Sequence, residues 1–209
     1  MAGGQDHWDE VYGARSEDEL TWFEATPTAS LDLVRTHLEP GEAFIDIGAG
    51  ASRLVDALLK AGLGPLTVLD VSGAALAVSR RRLGPQGSEV TWIEADITTW
   101  EPEQDYAVWH DRAVFHFLTR AGDRAGYGRA MSEALPPGGI AIIATFADDG
   151  PEKCSGLPIV RYAPEDLTRE LERLLPGQFK TIDAKRHMHI TPKGNRQSLQ
   201  YSVFRKVGP

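Results

Sequence analysis

Short apolar runs alternate with helical stretches along the first two thirds of the chain. Those with the length and apolar character of buried strands are 43–47 (AFIDI), 66–69 (LTVL), 90–95 (VTWIEA), 106–109 (YAVW) and 140–145 (IAIIAT). Between them, apolar residues recur at helical spacing in 54–59, 72–83 and 124–135, and Gly62 and the GPQG stretch at 84–87 mark breaks. This alternation predicts β-α-β units, and therefore a parallel sheet with helices on both faces.

The C-terminal part has a different pattern. A helix is expected from Pro164, with proline and acids in its first turn and leucines at 167, 171, 174 and 175 on its apolar face. Two strands, 178–188 and 197–205, then flank a turn at 192–195 (PKGN). With this hairpin added, the predicted fold is α/β, with a doubly wound, mostly parallel seven-stranded sheet whose last strand is antiparallel.

The N-terminal stretch is too aromatic for a disordered leader. We expect residues 7–24 to fold as a helical lid over the carboxyl edge of the sheet, with Trp8, Tyr12 and Trp22 facing a ligand. The whole chain, 1–209, is then expected to form one domain. Residues 1–40 are its lid and lead-in helix, 41–145 its cofactor-binding core, and 146–209 its substrate loop, last helix and terminal hairpin.

Composition narrows the class of protein. With 209 residues, 42% hydrophobic and 25% charged, the chain can bury a core without staples. Its one cysteine, Cys154, excludes an internal disulfide and a multi-cysteine zinc site, and we expect no metal. The net charge of −8 disfavours nucleic acid as a partner. No apolar run is long enough to span a membrane, so we expect a soluble, cytoplasmic protein without a membrane partner.

Acidic residues close successive predicted strands. Asp46 precedes Gly48 and Gly50, while Asp70 and Asp96 follow the second and third strands. The carboxyl ends of parallel strands form the ligand-binding edge of an open α/β sheet. Carboxylates there can accept hydrogen bonds from ribose hydroxyls and an exocyclic amine, and glycines let the backbone approach a ligand closely. The layout favours an adenosine-containing molecule.

The residues after Gly50 narrow the choice of ligand. The third glycine of a dinucleotide fingerprint is replaced by Arg53, and no phosphate-binding P-loop motif is present. A carboxylate at Asp46 favours a ligand that carries an ammonium group over one that carries a pyrophosphate. S-adenosylmethionine has an ammonium, a sulfonium, a ribose and an adenine.

The sequence resembles the class I S-adenosylmethionine-dependent methyltransferases. The resemblance rests on Ile45-Asp46-Ile47-Gly48-Ala49-Gly50, Asp70 and Glu94-Ala95-Asp96, and extends from about residue 44 to the C-terminus. It implies the strand order 3-2-1-4-5-7-6 and S-adenosylhomocysteine as the product. The chain departs from many members at Ser52, where they have a third glycine; this side chain can cap the next helix instead.

The resemblance also implies a role for each cofactor-binding position. The residues are Asp46, Gly48 and Gly50 for the methionine moiety, Asp70 for the ribose hydroxyls, Val71 beside the adenine, Asp96 for its amine and Ile97 against its ring. Trp8, Tyr12 and Trp22 would cover the sulfonium through cation–π attraction, or they simply pack on the edge of the sheet.

The residues after the fourth predicted strand are candidates for the acceptor side. His110, Asp111 and His116 cluster there, and His116 is a candidate general base, soft-acceptor ligand or structural histidine. Asp111 and Arg112 can instead pair with each other. Cys154, in a loop rich in glycine and proline, is a candidate substrate-binding residue because the adjacent lysine can lower its thiol pKa. His187 and His189 are expected to be surface residues.

Two further resemblances concern the acceptor. The stretch Trp109-His110-Asp111-Arg112-Ala113 is similar to the Trp-Asp-Arg-Gly motif of thiopurine and related small-molecule methyltransferases, with His110 inserted and Ala113 in place of glycine. The aromatic residues of the N-terminal stretch are similar to those of a group of protein-lysine methyltransferases. We therefore expect methyl transfer to a small, soft or polarizable nucleophile. The alternatives are protein-lysine N-methylation, with a protein acceptor, and an inactive cofactor-binding partner subunit.

Overall fold

A computed structural model describes residues 4–208 of the chain. The strands are β1 Phe44–Ile47, β2 Leu66–Asp70, β3 Val90–Glu94, β4 Val108–Arg112, β5 Ile140–Phe146, β6 Lys153–Cys154, β7 Leu157–Pro158, β8 Phe179–Ile190 and β9 Arg196–Lys206. Seven of them form one sheet in the order β3-β2-β1-β4-β5-β9-β8, while β6 and β7 form a separate short hairpin. Strands β1 to β5 pair in parallel, and β9 runs antiparallel to both β5 and β8. The predicted fold class and strand order are confirmed.

Helices cover both faces of the sheet. They are α1 Gly4–Ala14, α2 Thr28–His37, α3 Leu54–Lys60, α4 Gly73–Leu83, α5 Ala121–Ala134 and α6 Pro164–Leu174. Apolar residues of α2 and α3 pack in one buried cluster, and those of α5 and α6 pack in a second. None of the helices described between residues 4 and 208 is long and apolar enough to cross a membrane.

Serine hydroxyls bond to the backbone at the start of two of these helices, and at α4 the serine is the N-cap residue. The hydroxyl of Ser72 accepts a hydrogen bond from the amide of Ala75 at 3.1 Å, which fixes the first turn of α4 directly after β2. The hydroxyl of Ser52 accepts one from the amide of Leu54 at 3.1 Å, at the start of α3. Both helices therefore start at the carboxyl edge of the sheet.

Strand β4 differs from the prediction in a way that matters for the site. It runs from Val108 to Arg112 rather than over 106–109, because the Tyr106 amide donates to the carbonyl of Ala134 at 2.8 Å and stays outside the ladder. His110 and Asp111 consequently lie within the strand instead of beyond its end. Successive strand residues point to opposite faces, so His110 and Arg112 share one face and Asp111 lies on the other.

Candidate functional site

A cavity lies at the carboxyl ends of the central strands, beneath the N-terminal helix. The space between its walls, with the open solvent at its mouth included, is about 780 Å³. Its wall is largely apolar and consists of Trp8, Tyr12, Trp22, Ile47, Gly48, Leu69, Asp70, Val71, Ala95, Ile97, Arg112, Ala113, Val114, Phe117, Phe146, Cys154, Gln197 and Leu199. A second, smaller cavity adjoins it and shares Trp22, Ile47, Gly48 and Arg112 with it. The two adjoining cavities are together the groove at this edge of the sheet.

Helix α1 covers this groove. Its Asp9 carboxylate accepts a hydrogen bond from the hydroxyl of Ser72 at 2.6 Å, which fastens α1 to the start of α4. The ring of Trp8 stands edge-on to Trp22 and to Phe117, with centroid distances of 5.9 and 5.2 Å. The structure thus brings Trp8, Tyr12 and Trp22 to the cavity wall.

Two glycines shape the floor of the groove after β1. Gly48 and Gly50 have φ angles of +58° and +54°, in the left-handed region that favours glycine. A Cβ on Gly48 would lie 2.0 Å from Val114, and one on Gly50 would lie 2.1 Å from the hydroxyl of Tyr12. Glycine is therefore required at both positions, by backbone conformation and by space.

Asp70 lies at the end of β2 on the wall of the larger cavity. Its two carboxylate oxygens accept hydrogen bonds from the amides of Ser72 and Gly50, each at 2.8 Å. Burial raises its pKa from 3.8 to about 6, against the opposing effect of these two amide donors. The carboxylate is held rigidly beside the glycine turn.

Asp46 lies on the adjacent strand β1, paired with Val68 of β2, and lines the smaller cavity. Its Oδ1 is 2.7 Å from Nδ1 of His110, and Nε2 of His110 is 2.9 Å from the hydroxyl of Ser30. The other oxygen, Oδ2, is buried and has no hydrogen-bond partner among the described residues. A buried carboxylate oxygen without a donor is costly, so this atom points to a cationic or hydrogen-bond-donating ligand.

Of the other predicted cofactor-binding residues, two line the larger cavity and one does not. Val71 and Ile97 lie on the wall of the larger cavity. Asp96 is not part of that wall, and its Oδ1 accepts hydrogen bonds from the amide and the hydroxyl of Thr98 at 2.9 and 2.8 Å. Asp96 thus organises the loop after β3, next to Ile97.

Asp111 does not reach the cavity. It lies on the opposite face of β4 from Arg112, so the two do not pair. Its carboxylate accepts hydrogen bonds from the Val114 and Phe115 amides at 2.8 and 3.0 Å and from the Tyr127 hydroxyl at 2.8 Å. Burial raises its pKa to about 6, although these donors oppose the shift. The carboxylate caps the turn that presents Val114 to the cavity.

That turn contains a non-glycine residue in the left-handed region. Ala113 has φ +74° at the position where the small-molecule group has glycine, a conformation that disfavours any residue with a Cβ. The hydrogen bonds of Asp111, together with one from the Ala113 amide to the carbonyl of Ala144 at 2.8 Å, hold it there.

His116 is fully buried outside the cavity wall. Its Nδ1 accepts a hydrogen bond from the Phe146 amide at 3.2 Å, and its ring packs on Phe117 and Phe146. Burial, with the nearby positive charge of Arg112, lowers its pKa to about 3. The geometry gives His116 a structural position, and we do not propose it as the base.

Cys154 lies on the cavity wall at the end of β6. The expected lowering of its thiol pKa by the adjacent lysine is wrong, because burial raises this pKa to about 12. Lys153 is exposed and on the other face of the short strand. Cys154 is therefore present as a neutral thiol, in contact with whatever fills the cavity.

A buried polar cluster that the sequence analysis did not identify adjoins the cavity. Arg112 donates to the carbonyl of Trp22 at 3.1 Å and to the Glu24 carboxylate at 2.9 Å. His189 is buried rather than exposed, and its ring nitrogens lie 2.9 Å from Glu24 and 2.8 Å from the carbonyl of Thr21. Burial acts to raise the pKa of Glu24, but the hydrogen bond from His189 and the charge of Arg112 outweigh it and lower this pKa. His187 is half-buried, 3.9 Å from the same carboxylate.

Neither cavity contains a metal-binding constellation. Across residues 4–208, no group of three or more histidine, cysteine, aspartate and glutamate side chains is arranged to hold a metal ion.

Comparisons with known proteins agree with the fold. Residues 44–139 match the family model described as a methyltransferase domain. The chain is 28% identical over 137 residues to the trans-aconitate 2-methyltransferase of Sinorhizobium medicae (strain WSM419), a match that covers 65% of this chain and 49% of that protein. The chain thus spans about half the length of this curated relative.

Two solved structures illustrate the likeness in fold. The first was described under the words "Conversion of a Disulfide Bond into a Thioacetal Group during Echinomycin Biosynthesis". It has a TM-score of 0.76 at 18% identity and covers 97% of this chain and 92% of its own. The second is the 1,6-didemethyltoxoflavin-N1-methyltransferase of Burkholderia thailandensis, with bound 1,6-didemethyltoxoflavin and S-adenosylhomocysteine. Its TM-score is 0.69 at 19% identity, with 99% and 85% of the two chains covered.

Proposed function

We propose that the chain transfers a methyl group from S-adenosylmethionine to a small-molecule acceptor, because residues 44–139 match the model of a methyltransferase domain and the fold is that of a methyltransferase solved with S-adenosylhomocysteine. The observation that carries the proposal is the pair of buried carboxylates, Asp46 and Asp70, at the ends of adjacent strands beside the turn at Gly48 and Gly50. One of them keeps an oxygen without a partner among the described residues.

The residues present fit this cofactor. Oδ2 of Asp46 is a buried, negatively charged acceptor for the ammonium group of the cofactor's methionine moiety. Gly48 beside it has no side chain that would keep the ligand from the backbone. Asp70 is on the wall where ribose hydroxyls would donate to a carboxylate. Val71 and Ile97 supply apolar surface for the adenine, and Asp96 lies next to Ile97 for its amine.

The lid contributes the covering side. When bound, S-adenosylmethionine supplies a methyl group made electrophilic by its sulfonium. Trp8, Tyr12 and Trp22 stabilise a cation in this cavity through their ring faces. Because Asp9 fastens α1 over the groove, the same helix excludes water from the reacting atoms.

The cavity also supports the small, soft acceptor. Among the described residues, the wall of the larger cavity contains no histidine and one acid, Asp70. A polarizable nucleophile that needs no base suits such a wall. Two proteins that the chain resembles are named for small acceptors, trans-aconitate and 1,6-didemethyltoxoflavin.

The remaining expectations stay with this proposal. We propose that the 209 residues act as one unit, with the N-terminal lid, the cofactor core and the C-terminal substrate loop and hairpin, and that the enzyme works in the cytoplasm. We retain Cys154 as a residue in contact with the acceptor, through its neutral thiol. His110 is retained in the site as the partner of Asp46.

The test is release of S-adenosylhomocysteine across a panel of thiols, selenides, arsenite, carboxylates, amines and a lysine-containing peptide. Turnover with small acceptors and none with the peptide supports the proposal. Turnover on the peptide alone would instead support protein-lysine methylation. Cofactor binding without turnover on any member would support the inactive partner subunit.

A further inference from the structure

We propose that the acceptor binds and reacts as an anion, with Arg112 as the residue that receives its negative charge. This inference rests on the proposed methyltransferase function and specifies the substrate class of the same site. The acceptor it describes is a small, flat or apolar molecule that carries a thiolate or a carboxylate.

Arg112 is the last residue of β4. Its side chain forms part of the wall of both cavities, and only 14% of the side-chain surface is exposed. One terminal nitrogen donates to the carbonyl of Trp22 and the other to the carboxylate of Glu24. The third nitrogen, Nε, is buried and has no acceptor among the described residues.

Nε of the buried Arg112 guanidinium is a hydrogen-bond donor without an acceptor among the described residues. Leaving a buried charged donor unsatisfied is energetically unfavourable. A guanidinium also presents its nitrogens in a planar fork that matches a carboxylate. An anion in the cavity would therefore supply the hydrogen bond that the protein does not.

A single carboxylate balances the positive charge of Arg112. Glu24 is the one carboxylate in contact with Arg112 among the described residues, and it is shared with His189, whose Nδ1 is 2.9 Å from the same oxygen. Both groups reach the same oxygen of Glu24, so its negative charge is shared between Arg112 and His189. The Tyr201 hydroxyl is a further neighbour of the guanidinium, yet Nε of Arg112 keeps no acceptor among the described residues.

The side chains of the cavity wall favour an acceptor that needs no base. An amine acceptor must lose a proton to a base, whereas the wall of the larger cavity has no histidine and only one acid, Asp70, which two backbone amides already engage. The His110 and Asp46 side chains of the smaller cavity are bonded to each other. An anionic acceptor needs no base. A lone pair of its sulfur or oxygen forms the bond to the methyl carbon as the carbon–sulfonium bond breaks, and that bonding pair stays on the departing sulfur. One anion and one sulfonium give two neutral products, and no proton moves.

The rest of the wall defines the body of the acceptor. Phe117, Phe146 and Leu199 line the cavity, and Gln197 adds one uncharged polar group. Aromatic and aliphatic surface of this kind favours a flat, apolar molecule.

Binding to the product complex tests the inference without turnover. Protein saturated with S-adenosylhomocysteine is titrated with benzoate and with its neutral isostere benzamide, and the fluorescence of the wall residues Trp8 and Trp22 is followed. We expect benzoate to bind about tenfold or more tightly than benzamide. Arg112→Met should abolish this preference and Arg112→Lys should keep part of it, while the surface control Arg129→Met should not change it.

A second variant keeps the test informative if Arg112→Met fails to fold. Glu24→Gln removes the competing anion yet keeps an oxygen for Arg112, so it should tighten benzoate by severalfold and leave benzamide unchanged. The inference is overturned if benzoate does not bind, if benzamide binds equally well, or if Glu24→Gln has no effect or weakens benzoate. Failure of S-adenosylhomocysteine to bind would instead overturn the proposed function itself.

Discussion

The Asp46 carboxylate and the His110 imidazole are direct neighbours across β1 and β4, with Oδ1 and Nδ1 2.7 Å apart. Both side chains are only 2% exposed. Because His110 occupies one carboxylate oxygen and is itself held by Ser30, the other oxygen keeps a fixed direction within the groove. His110 therefore acts on the cofactor through Asp46, as a positioning residue.

Replacing His110 by asparagine should weaken S-adenosylmethionine binding about tenfold, because the shorter amide leaves Asp46 without its partner. The KM for the cofactor should rise with less change in kcat. Ser30→Ala is the matched control: it removes the bond behind His110, together with the contact of Ser30 to the Tyr201 hydroxyl, but keeps the bond between His110 and Asp46, so it should cost less affinity. Calorimetry on both variants makes the comparison, and equal affinity of wild type and His110→Asn would refute the positioning role.

The affinity for S-adenosylmethionine should fall as the pH drops through about 6, the raised pKa of Asp70. The ionised carboxylate accepts hydrogen bonds from ribose hydroxyls with both oxygens, and protonation removes part of that capacity. Calorimetric titrations between about pH 5 and 8 measure the dependence. Asp70→Asn should bind weakly at every pH, and a wild-type affinity that is flat across this interval would contradict the placement of the ribose.

Asp70 should also make the free protein less stable as the pH rises from about 4 to about 6. Its folded pKa lies above the ordinary 3.8, so its stabilising contribution is complete below the unfolded pKa and is lost as the pH rises through the folded one. The contribution is of the order of 3 kcal/mol. Urea unfolding at both ends of this range should show a smaller loss of stability for Asp70→Asn than for wild type. An identical loss in the two proteins would refute the assignment.

Asp111→Asn should lower the stability of the fold by about 1–3 kcal/mol, because its carboxylate accepts three hydrogen bonds at the turn after β4. Cofactor affinity of the folded protein should change little, since Asp111 faces away from the cavity. Tyr127→Phe removes one of these bonds together with the bond that the Trp109 indole donates to Tyr127, so it measures the part of the network beyond the two amides. Urea unfolding and calorimetry together decide, and a selective loss of turnover at unchanged stability would restore Asp111 as a catalytic candidate.

Gly50→Ala should displace the lid, because the new Cβ would lie 2.1 Å from the hydroxyl of Tyr12. The variant should lose both stability and cofactor affinity. Gly41→Ala is the control: it has a positive φ of +90° but no atom within 4 Å, so it measures the backbone penalty alone, roughly 1–2 kcal/mol. Truncating Tyr12 to alanine in the Gly50→Ala background should recover part of the loss, and equal effects of the two glycine variants would show that Tyr12 does not lie over Gly50.

The sheet and the cofactor edge were predictable because their signals are local. Asp46, Gly48, Gly50 and Asp70 are each next to a short apolar run whose strand ends at the same edge. Parallel pairing then brings them together without any further information.

The acceptor side was less predictable because its contacts are distant in sequence. Glu24 meets Arg112 across 88 residues and His189 across 165. No local pattern indicates these pairings. His110 and Asp111 are adjacent in sequence, and only the extension of β4 to Arg112 separates them onto opposite faces of the sheet.

Calorimetric titration of the wild-type protein and Asp46→Asn with S-adenosylmethionine, with a nicotinamide dinucleotide as the comparison ligand, tests the central claim most directly. We expect the wild type to bind S-adenosylmethionine at a single site, Asp46→Asn to bind it at least tenfold more weakly, and neither protein to bind the dinucleotide. Binding of the dinucleotide in place of S-adenosylmethionine, or full affinity in Asp46→Asn, would contradict the account.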